Sequence, residues 1–182
     1  MLRRLTILAV PVALVAVVLV ATGLPSGAKG SRNIRADLLG YEEVPAVSTV
    51  AGGSFNASFG PNDESINWTM SYEGLEDDST QAHIHFGASR TAGGISERLC
   101  SNLAVPPTPA GTQPCATRSG TVSGTITAAN VVGPTVQGIT TGELSELVAA
   151  IRSGNAYANV HSRKFPGGEI RGQITVGGGH QE

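Results

Sequence analysis

The sequence predicts an all-β domain: a Greek-key-like antiparallel β-sandwich or barrel with one short helix at about 142–152. Three observations predict it. Apolar residues alternate with polar ones in several short runs, as on half-buried strands. Gly- and Pro-rich turns separate those runs. Only one segment carries helical spacing. Many short strands with a single helix point to a sandwich or a barrel.

The elements follow in chain order. Ile34–Leu39 is a short candidate strand. In Gly53–Phe59, residues Phe55, Ala57 and Phe59 share one face, and Ser54, Asn56 and Ser58 the other. Pro61-Asn62-Asp63 is a turn. In Ser65–Tyr72, residues Ile66, Trp68, Met70 and Tyr72 share the face expected to meet the core, so the two runs form a hairpin. Gln81–Phe86 and Ser119–Thr127 are the next strands, the latter with Val122, Gly124 and Ile126 on one face. The helix places Leu144, Leu147, Val148 and Ile151 on one stripe. Thr141 is its expected cap, with Glu143 in the first turn, Arg152 in the last and Gly154 beyond. Ala156–Ser162 and Glu169–Val176 close the domain around the turn Phe165-Pro166-Gly167-Gly168.

The first residues predict export. Arg3 and Arg4 precede an apolar run from Leu5 to Leu24, and Ser26-Gly27-Ala28 supplies the small residues of a cleavage site. This is the pattern of a signal peptide over 1–28. An uncleaved N-terminal anchor is the alternative, because about 20 apolar residues also span a bilayer. Either way the rest lies outside the cytoplasm, secreted or at the cell surface, and meets membrane only through that segment. Residues 29–33 are a linker, 34–176 the β domain and 177–182 a flexible tail. After Ala28 the chain has 182 − 28 = 154 residues and a formal charge of 10 − 14 = −4. A mildly acidic domain has no electrostatic footprint for nucleic acid.

Cys100 and Cys115 flank SNLAVPPTPAGTQP, a loop with four prolines. Outside the cytoplasm such a pair is expected as a disulfide, worth about 3 kcal/mol in the chain-entropy model. Their spacing matches neither a redox C-x-x-C nor a zinc pattern. Asp77-Asp78 is an acidic pair of the kind usually only solvated rather than bound to calcium. The sequons at Asn56 and Asn67 fall inside expected strands.

The histidines are the main candidates for chemistry. His83 and His85, two apart on a strand, point to one face. His161 lies on another strand and shares its face with Asn159 and Tyr157. If the strands neighbour each other, the three imidazoles converge into a zinc or copper site, with Glu169 as a ligand or an acceptor behind one. The rival reading is a hydrogen-bonded cluster pinning the sheet, with Asn159, Arg171 and Gln173 as members. Copper–zinc superoxide dismutase shares the H-x-H feature, but its two-metal site takes six histidines and an aspartate. Only three histidines lie in the folded part, His180 being in the tail. That count argues against dismutase chemistry. No metalloprotease, hydrolase or nucleotide-binding motif occurs, and nothing specific supports a hydrolase.

Several segments, in order, resemble the CHRD domain, the module named after chordin and common in bacterial exported proteins. They are Ala36-Asp37-Leu38-Leu39-Gly40-Tyr41-Glu42-Glu43-Val44-Pro45-Ala46-Val47, then Ser71-Tyr72-Glu73-Gly74-Leu75, then Ala82-His83-Ile84-His85. Tyr157-Ala158-Asn159-Val160-His161-Ser162 and Phe165-Pro166-Gly167-Gly168-Glu169-Ile170-Arg171-Gly172-Gln173-Ile174 complete the set. The resemblance spans Ile34 to Val176. After His85 the chain departs from it: Phe86–Cys100 and the cysteine-bounded loop replace the usual turn and apolar strand. The resemblance implies an exported β-domain, here as a single-domain bacterial member. Chordin's antagonism of growth-factor signalling is not carried over, since its Cys-rich modules are missing. The expected function is therefore a non-enzymatic binding or structural module, its partner a protein or a cell-surface polymer. The alternative is a metal-binding protein using His83, His85 and His161.

Overall fold

The computed structural model describes residues 32–103 and 111–177. The expected signal segment, the end of the tail and the middle of the cysteine-bounded loop lie outside these residues. Nine strands form one antiparallel sheet: β1 Asn33–Leu39, β2 Gly52–Phe59, β3 Ile66–Glu73, β4 Ser79–Phe86, β5 Gly94–Ser101, β6 Gly120–Ile126, β7 Ala156–Ser162, β8 Ile170–Gln173 and β9 Thr175–Val176. Their order is β5-β4-β7-β8-β1-β2-β3-β6, with β9 beside β1.

The sheet curls until its ends nearly meet, so the architecture is a nearly closed barrel. Gln113 spans the seam, its Nε2 donating to Leu99 O on β5 (3.4 Å) and Ser123 O on β6 (2.9 Å). The Cys100–Cys115 disulfide, with Cα atoms 5.0 Å apart, fastens the same region. Among the described residues there is one α-helix, α1 Leu144–Arg152.

Alternation fills the interior. Leu38, Phe55, Phe59, Ile66, Met70, Ile84, Leu99, Ile126 and Ile170 are fully buried there. Each such side chain stabilises by about 1.5–3 kcal/mol. Helix α1 adds Leu147 and Ile151, and its Arg152 pairs with Asp63 at 2.9 Å beside the β2–β3 turn.

Three expectations need correction. Gly94–Ser101 was not expected as a strand, yet it pairs with β4 along its length. Two register shifts in that pairing, at Ala82/His83 and Ile84/His85, leave Leu99 and Ser96 without opposite numbers. Each bulge resets the two-residue period, so GISERLCS shows no clean alternation. Second, Thr141 does not cap the helix. Gly142 turns the chain at φ 88°, Glu143 becomes the N-cap without a side-chain bond, and Thr141 Oγ1 donates to Val132 O instead. Third, the last strand is two short ones, β8 and β9, broken at Ile174.

Candidate metal centre

The site lies on the outward face of β4, β7 and β8, which loops cover. Every residue of β7 is buried, whereas β3 alternates buried with more exposed positions. The loop 87–93 folds over this face. Arg171, only 2 % exposed, anchors it by donating to Thr91 O (3.0 Å) and Ala88 O (3.2 Å). Gln173 Nε2 donates to Gly87 O (3.0 Å) and Gly154 O (2.7 Å).

A second cover is the 40–51 segment. Glu169 Oε1 ties it down by accepting from Thr49 Oγ1 and Glu76 N–H, both at 2.9 Å. Glu43 of that segment is buried beside Gly168. A Cβ at Gly168 would lie 2.2 Å from Glu43 Oε1, and the backbone there has φ 130°, so only glycine fits. Burial raises the Glu43 carboxyl, against the pull of the Val44 N–H, the Arg171 charge and Asn159.

Under these covers β4 and β7 run side by side, with His83 opposite Asn159, His85 opposite Tyr157 and Gln81 opposite His161. That register brings His83, His85 and His161 together, one nitrogen from each lying within 4.8 Å of the others. Their exposures are 1 %, 8 % and 6 %. His83 Nδ1 is 3.2 Å from His161 Nε2.

The loops fix the tautomers of the other two rings. His85 Nδ1 lies 2.9 Å from Gly93 O, and His161 Nδ1 lies 3.0 Å from Pro166 O. A carbonyl only accepts, so both Nδ1 atoms carry the proton and both Nε2 atoms present lone pairs. The lone pair of His85 Nε2 is buried and has no hydrogen-bond partner. The ring of His85 stacks flat on Tyr157 at 4.7 Å, and Arg171 lies 3.4 Å over the far side of Tyr157.

Burial keeps the imidazoles neutral. It pushes His83 down to about 2, helped by the neighbouring His161, His85 and Arg98 charges. It pushes His85 down to about 4, against the pull of Gly93 O and the Asn159 side chain. His161 is lowered by the same cause. Neutral imidazoles with fixed lone pairs are what zinc and copper take as ligands.

Most of the other sequence candidates lie elsewhere. Glu169 is outside the cluster that the three histidines form. Asn159 sits among them, its Oδ1 buried and unpartnered, while Arg171 and Gln173 hold the 87–93 loop. Asp77 and Asp78 pair with Arg118 at 3.3 and 3.0 Å. Asn56 and Asn67 are exposed strand residues. Sequence reasoning missed Arg98, Glu43 and Glu97. Arg98 needed β5 to be recognised; Glu43 stood within the first resembling segment. Glu97 is buried in the barrel near Trp68, and burial pushes its carboxyl up to about 8.

No helix among the described residues is long and apolar enough to cross a membrane. A family model, described as the CHRD domain, matches residues 34–174. Comparison with curated proteins and with solved structures returned no match.

Proposed function

Starting from the chain's membership of the CHRD domain family, we propose that it is a non-enzymatic binding module acting outside the cytoplasm, and that its ligand is one transition-metal ion, zinc or copper. His83 Nδ1, His85 Nε2 and His161 Nε2 are the donors. The observation that carries this reading is the convergence of three neutral imidazole nitrogens within 4.8 Å under a cover of loops.

Two details support it. Zinc–nitrogen bonds of about 2.0–2.1 Å put tetrahedral ligands about 3.3 Å apart, and His83 Nδ1 and His161 Nε2, hydrogen-bonded to each other at 3.2 Å, already stand at that spacing. Carbonyl acceptors behind ligating histidines are the usual way to orient them, and Gly93 O and Pro166 O occupy those positions. His85 Nε2 is buried beside Asn159 and has no hydrogen-bond partner of its own. Such a group costs about 1–3 kcal/mol. The disulfide and the apolar segment before the domain support a place outside the cytoplasm.

The test is the metal content of protein purified without a histidine tag, beside a His83→Ala/His85→Ala variant. Close to one equivalent of zinc or copper, lost in the variant, is expected. Protein that stays metal-free after exposure to both ions would leave the histidines as fasteners for the loops.

A further inference from the structure

His83 has both ring nitrogens engaged. Its Nε2 lies 3.4 Å from Arg98 Nη1, and its Nδ1 lies 3.2 Å from His161 Nε2. A guanidinium offers only donors and stays protonated. The contact with Arg98 therefore requires the His83 lone pair on Nε2, which leaves the ring proton on Nδ1. That proton points at His161 Nε2, whose own ring proton is committed to Pro166 O. The network closes with one tautomer per ring. A proton lies between His83 and His161, where a metal ion would sit.

Ligation by His83 Nδ1 demands the reverse. The lone pair must move to Nδ1 and the proton to Nε2, where it would face an Arg98 N–H, donor against donor. The positive guanidinium would also stand directly behind a ligand of a cation.

The fold places Arg98 there deliberately. The two β5 bulges bracket His83 and Ile84, and the resulting register sets Arg98 opposite His83. Bulges re-aim side chains in this way. Among the described residues the Arg98 guanidinium has no other hydrogen bond or ion pair. It is only partly buried, so it can swing away from the ring.

Resting on the metal reading above, we propose that Arg98 is the gate of the metal site. While it donates to His83 Nε2, it holds the ring in the tautomer that excludes the ion. Binding requires Arg98 to leave, and its hold sets the affinity below what three histidines alone would give.

The test measures zinc(II) affinity by competition with a chromophoric chelator, for the wild-type protein and Arg98→Met. Methionine keeps an apolar stem and removes both donors and charge. Binding about tenfold tighter in Arg98→Met is expected, the lower end of what groups behind a ligand control. Equal or weaker binding in Arg98→Met overturns the gate and leaves the metal site standing. Binding of neither zinc nor copper by either protein removes the site and the gate together. Nitrogen NMR of the metal-free protein gives a second readout. The wild-type His83 proton is expected on Nδ1, and a proton on Nε2 overturns the proposal without any metal measurement.

Discussion

The barrel's outward surface has two sides of opposite character. On β2, β3 and β6 the outward residues include Asn56, Asn67, Thr69, Thr121, Ser123 and Thr125, all exposed and uncharged. On β4, β7 and β8 they include His83, His85, Tyr157, Asn159, His161 and Arg171, all buried. The local sequence rule is the same on both sides. Asn67-Trp68-Thr69-Met70 and Tyr157-Ala158-Asn159-Val160 alternate outward polar or amphipathic residues with inward apolar ones. What differs is cover. Loops 40–51 and 87–93 exclude water from one face only, and that exclusion holds the histidines as neutral, oriented imidazoles. Chemistry here is made by the loops as much as by the strands.

The comparison breaks most visibly in acid. In metal-free protein His83 and His85 hold folded values of about 2 and about 4, against 6.5 for an open imidazole. Below pH 6.5 the unfolded chain takes up protons on these rings and the folded chain does not. Their contribution is therefore complete above pH 6.5 and is lost as pH falls toward the folded values. Each histidine is expected to cost about 3 kcal/mol between pH 6.5 and 4, at about 1.4 kcal/mol per unit. Urea unfolding across that range checks it. His83→Gln should flatten the curve, and an unchanged slope would mean the covered face is wet.

The next effect concerns the cover itself. Arg171→Met removes two bonds to loop carbonyls, at Thr91 and Ala88, and the guanidinium over Tyr157. It also strips the buried Glu43 carboxyl of a favourable charge. A loss of about 3 kcal/mol is expected, typical of breaking a buried charged network. Hydrogen exchange should localise the loosening to 87–93. A loss spread evenly over the barrel would show that Arg171 supports the sheet rather than the loop.

The strands with clean alternation were legible from the sequence. The expected bounds of β7 are the observed ones, 156–162, and the inward row Ile66, Trp68, Met70 and Tyr72 is buried. The common face of His83 and His85 follows from strand geometry alone. Their meeting with His161 was conditional, because adjacency of β4 and β7 is a long-range fact that no local pattern carries. Strand β5 was hidden by its bulges, and Arg98 with it. Glu43 was visible only as part of a resembling segment. Nothing in Tyr41-Glu42-Glu43 tells that its carboxylate turns inward against Gly168, since that depends on residues more than a hundred positions away.

The smallest effect belongs to the open side, and it is the control for the others. Ser71 and Thr121 share a hydrogen bond of 2.8 Å across β3 and β6, and Thr125 donates to Asn67 at the same distance. Water competes for both pairs, and cross-strand pairs contribute only about 0.2–1 kcal/mol. Thr69, exposed between them on β3, makes no such bond among the described residues. Thr69→Ala is expected to change stability by less than about 0.5 kcal/mol, as surface substitutions away from special features do. Thermal unfolding at neutral pH measures it. A much larger loss would mean that this face, too, is covered in the folded protein, and the contrast between the two sides would then lie in which partner does the covering rather than in whether one exists.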